Sequence, residues 1–388
     1  MNDATSAIER DTAMKLGVRV TRIETIPLRV PFRVPFKIAS GGARPSSEQL
    51  IVRVHTDAGV SGVGETQAWR RLGSSETIAS LRCAIDDLFA SRIIGRSPFA
   101  LASIMHDLDE VLYHAYYAKA AVADALYDLQ GKLLGVPVYE LLGGRCRDTV
   151  DACAVLTIKP SLEETIEGAH EFARRGFRSF TVKIGTDPAM EEKLVRKMRE
   201  TFPHVVLRVD ANASLGFDAA FSLLRKIEPF DIDAAEQPLA PWDLAGMAEL
   251  ARRVTMPIMA DESLASPQDL LEIIRQRAAT VIQTKVAKNG GIVGMRKLWV
   301  IADAAGLRIY PGNHPSTSVA TASVLHLAAA WPGELLAGPF AVGISGAFAK
   351  DVVQAPLTVD NGAVRIPDGP GLGVILDEDA LQDMRMDK

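Results

Sequence analysis

Cysteine is nearly absent: three residues in 388, at Cys83, Cys146 and Cys153, with no pair in CxxC spacing. That excludes a disulfide scaffold and a CxxC metal site, and leads to an expectation of buried thiols in a reducing compartment. No apolar run reaches the roughly 18 residues of a membrane span. The opening MNDATSAIERDTAMKLG has no apolar core of a secretory signal, so a cytoplasmic location is expected. Charge of one sign is also lacking. A net charge of −5 gives no footprint for nucleic acid or an anionic membrane.

What is present is ordinary for a globular protein, with 48% apolar and 23% charged residues. The length favours two domains over one core. Residues 1–16 read as a disordered polar tail. From Val18 to about Glu65 the pattern is strand-like: VRVTRIETIPLRV alternates, and QLIVRVHTDAGVSGVGET reads as a hairpin turning at Asp57–Gly59. PFRVPFKIASGGARPSS between them is a loop by composition. Residues 77–141 turn helical, so residues 17–142 make an α+β capping domain. From Val150, short apolar strands alternate with helices through eight units, with strands expected at 150–156, 179–184, 205–210, 232–236, 257–261, 280–285, 307–311 and 334–338. Ser161 with Glu164 fits a capping box, and Pro188, Pro241 and Pro267 fit first helical positions. Eight such units close a TIM-like (β/α)8 barrel over residues 143–351. Residues 352–388 resume turn and strand character and are expected to return to the cap.

Five charged residues close successive strands of this repeat. They are Lys183 in TVKIG, Asp210 in LRVDAN, Glu236 in AAEQP, Asp261 in IMADES and Lys285 in VIQTK, spaced 27, 26, 25 and 24 residues apart. C-terminal strand ends meet at one barrel mouth, so three carboxylates flanked by two lysines are expected there. Acids at strand ends also cap helices, but three on consecutive strands point to a shared site. With no histidine or cysteine beside them, Asp210, Glu236 and Asp261 suit Mg²⁺, or Mn²⁺, rather than zinc. Lys183 and Lys285 would be structural ion pairs, or an acid and a base. The chemistry then expected is loss of a proton α to a substrate carboxylate, giving an enediolate. Asn212, Gln237 and Glu262 are expected to brace the acids. Lys288 and Asn289 are assigned to the turn in AKNGG, and Asn313 and His314, after the seventh strand, are candidates for the substrate pocket.

VSGVGET, AKAAVADALYDLQGKLLGVPVYELLGG, VKIG, VDAN, EQP, ADES and TKVAKNGGI together resemble the enolase superfamily. Within it they resemble the mandelate racemase/muconate lactonizing enzyme family, muconate-lactonizing subgroup, over nearly all of residues 18–375. The resemblance implies Asp210, Glu236 and Asp261 as metal ligands. It makes Lys183 the second lysine of a KxK strand motif and Lys285 the lysine ending the sixth strand. It implies cap loops at Ile38–Gly42, with Ile38 and Ser40 near substrate, and at Thr66–Leu72. One position departs: Thr181 stands where the first KxK lysine is expected. GPFAVGIS carries no DxD pair, which argues against a dipeptide substrate. Glu334 precedes the eighth strand where some relatives carry an acid. The function implied is a Mg²⁺-dependent cycloisomerase or racemase/epimerase acting on a small carboxylate. It would be a homo-oligomer, dimer or octamer. A dehydratase of a hydroxy acid or hydroxyproline-like compound would use the same intermediate. A non-catalytic binding protein would be missing a ligand or a base, and all three acids and both main lysines, Lys183 and Lys285, are present.

Overall fold

Apolar alternation builds the first layer. The structure is a computed structural model describing residues 17–36, 44–68, 76–159, 161–338 and 347–387. β1 (Val20–Phe36), β2 (Arg44–Thr56) and β3 (Ser61–Gln67) form an antiparallel meander. α1 (Ile78–Cys83) continues through a π-helical turn into α2 (Ala90–Ile93), followed by α3 (Leu101–Val111), α4 (Tyr116–Leu134) and α5 (Val138–Leu141). α4 is alanine-rich and buried almost all round. Its backbone approaches β3 so closely that a Cβ on Gly62 or Gly64 would lie 2.1 or 2.0 Å from the Ala125 or Ala121 carbonyl oxygen. The glycines of VSGVGET are therefore a packing requirement.

The barrel follows. Its elements are β4 (Thr149–Asp151), β5 (Ala154–Leu156), α6 (Leu162–Arg174), β6 (Ser179–Lys183), α7 (Pro188–Thr201), β7 (Val206–Asp210), α8 (Phe217–Ile227) and β8 (Ala234–Glu236). Then come α9 (Leu244–Arg253), β9 (Ile258–Ala260), α10 (Pro267–Gln276), β10 (Val281–Lys285), α11 (Gly291–Ala304), β11 (Arg308–Gly312) and α12 (Ser318–Ala330). β5 to β11 form a seven-stranded parallel sheet in sequence order. The C-terminal segment carries β12 (Val359–Asp360), β13 (Ala363–Arg365) and α13 (Glu378–Met384). β13 pairs with β4, α13 packs on β1, and the Val138 N–H bonds the Gly371 carbonyl at 2.9 Å.

Several expectations need correction. The eighth strand, 334–338, is a bridging segment: its Leu336 N–H bonds Ile309 on β11 at 2.9 Å, and its Gly338 N–H bonds Asp151 at 3.0 Å. Pro332, Gly333 and Gly338 punctuate it too tightly for a ladder, yet it bonds β11 through Leu336 and its Gly338 carbonyl accepts the Cys153 N–H just before β5 at 2.5 Å, which curls the sheet toward closure. The first expected strand, 150–156, is split, because Ala152 turns its N–H to Gly362 at 2.8 Å. Pro241 lies in a turn, and α9 starts only after the Asp243 cap. Of the three thiols only Cys153 is buried; Cys83 and Cys146 are exposed on outer surfaces. The expected tail, 1–16, lies outside the described residues. No helix among the described residues is long and apolar enough to cross a membrane.

Buried acids fasten the cap to the barrel. Glu65 on β3 accepts the Thr317 N–H at 2.9 Å, the Thr317 hydroxyl at 2.6 Å and the Ala320 N–H at 2.8 Å, all at the start of α12. Asp124 on α4 accepts the Ile292 N–H of α11 at 2.8 Å. Burial pushes both carboxyls up to about 7, with Asp351 adding to the effect on Glu65. The folded form thus holds these protons more tightly than the unfolded chain, whose values are 4.5 and 3.8. Their stabilising contribution is full below those unfolded values and is lost as pH rises through about 7. The melting temperature should fall between about pH 4 and about pH 7, and Glu65→Gln with Asp124→Asn should flatten that slope. An unchanged slope in the double variant, followed by circular dichroism, would contradict this assignment.

Candidate active site

Parallel pairing puts the charged strand ends in line. Lys183 is opposite Asp210, and Asp210 opposite Glu236. Asp261 follows β9 directly, and Lys285 ends β10. Alternation turns the side chains of Thr181 and Lys183, Arg208 and Asp210, and Gln283 and Lys285 to the same interior face. Asp210, Glu236 and Asp261 are buried.

The Lys183 ammonium donates to Asp210 Oδ2 and, at 2.9 Å, to Asn212 Oδ1. Lys285 donates to Asp261 Oδ2. Lys288 donates to Asp261 Oδ1 at 2.7 Å and to the Gln283 carbonyl at 3.2 Å. The Gln283 amide, turned with its nitrogen toward the acids, donates to Glu236 and, at 3.1 Å, to Asp261. Asn212 donates its N–H to Asp210 at 2.7 Å and its amide to Glu262 at 3.3 Å. Gln237 Oε1 accepts the Asp261 and Ser263 N–H groups at 2.9 and 3.1 Å. Asn212 and Gln237 both hold left-handed backbone, φ 45° and 32°, which these bonds maintain.

Electrostatics follow from this crowding. Burial, then Asp210 and Asp261, push the Glu236 carboxyl well up. Burial also raises Glu262, to about 8, with Asp261 and Asp210 adding to it. Burial opposes ionisation of Asp261, but Lys285 and Lys288 overcome it and hold that carboxyl far below its usual range. Lys183 and Lys285 are likewise opposed by burial, yet the acids hold both above the ordinary lysine value. Burial lowers Lys288.

Other candidates divide. His314 is buried beside these lysines, 5.9 Å from the Tyr117 ring of the cap, and burial and Lys285 keep it neutral. Asn313 spends its amide inside its own loop, on Thr321 at 3.0 Å and Ser316 at 2.9 Å. Thr181 lies below Lys183, 3.3 Å from both the Tyr310 hydroxyl and Cys153 Sγ. Glu334 is exposed, beside the segment that bonds low on β11. Ile38, Ser40, most of Thr66–Leu72 and GPFAVGIS beyond Gly338 lie outside the described residues.

Lys288 and Gln283 were missed. Gln283 stands two residues before Lys285, so strand period alone would have found it. Lys288 was assigned to the turn, but only Asn289 closes it, accepting the Lys285 N–H at 2.8 Å.

The parallel barrel gathers three acids and three lysines at one mouth, the site architecture of a TIM-type enzyme. Residues 21–143 match the N-terminal domain of the mandelate racemase/muconate lactonizing enzyme family, and residues 164–380 match the enolase C-terminal domain-like family. Muconate cycloisomerase 1 of Rhodococcus opacus is 34% identical over 94% of this chain and 97% of its own length. L-Ala-D/L-Glu epimerase of Bacillus subtilis is 31% identical over 92% and 97%. The crystal structure of muconate lactonizing enzyme from Pseudomonas fluorescens complexed with muconolactone superposes with TM-score 0.90 at 28% identity, covering 95% and 99%. The chain belongs to the mandelate racemase/muconate lactonizing enzyme family of the enolase superfamily, in the muconate-lactonizing subgroup, and is an isomerase.

Enzymes of this family depend on a divalent metal. Among the described residues no three His, Cys, Asp or Glu side chains already stand at metal-binding spacing. The ammonium groups hold Asp210 and Asp261 instead. The donor set nonetheless fits a hard cation: three buried carboxylates on adjacent strands, with Glu236 raised by burial and its acidic neighbours. Lys288→Met should remove one counter-charge from Asp261 and leave a buried carboxylate less well paired. A melting temperature equal to wild type would count against this pairing.

Proposed function

We propose that the protein is a Mg²⁺-dependent cycloisomerase or racemase/epimerase that moves a proton at the carbon α to the carboxylate of a small acid. The observation that carries it is the placement of Lys183 and Lys285 on either side of the three buried acids. Asp210, Glu236 and Asp261 would hold the ion, with Mn²⁺ as an alternative occupant. When bound, the ion supplies positive charge against the negative charge that builds on the substrate carboxylate as the α-proton leaves.

The chain's own residues do the rest. One lysine would take the α-proton, which requires it first to shed the proton that Asp210 or Asp261 holds on it, and the other would face the developing enediolate from the opposite side, as a cation or as the returning proton donor. A racemase or epimerase needs both lysines to exchange protons, whereas a cycloisomerase needs one. Asn212 and Gln237 keep the acids aimed, and buried His314 contributes a neutral polar wall. Similarity to a muconate cycloisomerase and to an epimerase supports this range of reactions. Cytoplasmic location and assembly into a dimer or octamer belong to the same proposal.

Proton NMR in D₂O with Mg²⁺ tests it, using muconates, N-acyl amino acids, proline betaines and hydroxyprolines. Loss of one α-proton signal without other mass change identifies a racemase or epimerase, and ring-closure signals identify a cycloisomerase. Water loss would replace the proposal with a dehydratase. Lys183→Ala and Lys285→Ala should each lower turnover by about a hundred- to ten-thousandfold. Full activity in either variant would remove that lysine from the mechanism.

A further inference from the structure

The two loops that bring Lys285 and His314 to the mouth are anchored by acids of the cap, not by the barrel alone. α11 begins at Gly291 behind Gly290, with φ 71° and 75°, and the Gly290 position has no side chain to cap it. Asp124 on α4 supplies the missing acceptor, taking the Ile292 N–H at 2.8 Å. The fit is tight: a Cβ on Gly291 would lie 2.5 Å from Asp124 Oδ1 and 3.0 Å from the Ala120 carbonyl oxygen. The residues between Lys285 and Gly291 form one bonded turn. Asn289 Oδ1 accepts the Lys285 N–H at 2.8 Å, and the Gly291 N–H bonds the Val286 carbonyl at 2.8 Å. Lys288 of the same turn grips Asp261 at 2.7 Å. A shift at the start of α11 therefore carries into both ammonium groups.

The neighbouring loop repeats the arrangement. Glu65 holds the Thr317 and Ala320 N–H groups, and Gln49 on β2 donates to the Pro315 carbonyl at 2.8 Å, directly after His314. Ser323 of α12 stands beside Asp124, so Asp124 meets α12, the helix Glu65 holds, as well as α11.

We infer that Asp124 and Glu65 are positioning residues, through which the cap sets the placement of the Lys285–Gly290 turn and the Asn313–Thr317 loop. The inference rests on Lys285 acting in proton transfer, as proposed above. A role limited to holding two domains together would lower stability and every property of the site alike. A positioning role splits them, because Lys183, Asp210 and Glu236 sit on β6 to β8, whose helices neither acid touches; of the three acids only Asp261 meets the turn, through Lys285 and Lys288.

The test uses the full chain with Mg²⁺ and compares Asp124→Ala, Asp124→Asn and Gly291→Ala. Turnover, Mg²⁺ affinity by calorimetry and amide hydrogen exchange over residues 285–292 are measured on each. Asp124→Ala removes the acceptor, and Gly291→Ala displaces it from the other side. Both should lower kcat on the order of a hundredfold, the scale set by misplacing a catalytic group by about 1 Å. KM should stay near wild type, Mg²⁺ affinity should change less than kcat because only Asp261 meets the turn, and exchange should quicken over 285–292 while β6 to β8 stay protected. Asp124→Asn keeps an oxygen for Ile292 and should recover most of the lost turnover. Glu65→Gln should quicken exchange over residues 313–320 in the same local way. Unchanged kcat in both Asp124→Ala and Gly291→Ala would overturn the inference. So would a loss that follows Mg²⁺ affinity and is matched by faster exchange throughout the barrel. If Lys285→Ala retained turnover, the functional proposal would fail on its own, and exchange over 285–292 in Asp124→Ala would still decide whether Asp124 anchors the turn.

Discussion

Like charges packed into one buried space are the constraint on which the rest of the molecule depends. Parallel pairing brings Asp210 and Glu236 into line, and Asp261 follows one strand later, all three out of water. Carboxylates cannot share such a space as anions without cations to match them. The protein supplies Lys183 at one flank, with Lys285 and Lys288 at the other. Even so, Glu236 is left with its carboxyl pushed up. That residual demand for positive charge is what a family of divalent-metal enzymes would use.

The cap answers a second constraint, which is precision. Barrel strands fix where Lys183 and Asp210 begin, but Lys285 and His314 lead into loops that the barrel does not fully restrain. Gly62 and Gly64 let α4 settle onto β3, and that contact places Asp124 and Glu65 at the starts of α11 and α12. Asp128 on the same helix ties in both β3 and the C-terminal segment, accepting the Val63 and Leu372 N–H groups at 2.7 Å each. The three buried acids of the cap thus give the glycine-rich motif a purpose beyond packing.

Much of this was legible in the sequence because it rests on period and spacing. The strand ends from Lys183 to Lys285 recur at the length of one β/α unit, so their meeting at one mouth followed from the barrel. Ser161 caps α6, and Pro188 and Pro267 open α7 and α10, where the side-chain chemistry placed helix starts. The misses have a different character. Lys288 lies in a turn, and no periodicity directs a turn residue inward. The eighth strand failed because Leu336 and Gly338 bond to different neighbours instead of forming a ladder. Glu65 and Asp124 escaped notice because their partners lie more than 150 residues away, beyond any local pattern.

The central claim is that the three acids form one cation site from which the lysines work. Calorimetric titration of Mg²⁺ into the wild-type chain and into Glu236→Gln addresses it directly. Glu236 lies between the other two acids, so its loss should weaken binding about tenfold or more while the wild type takes up one ion per chain. Equal affinity in the two proteins, or no uptake by the wild type, would contradict the account.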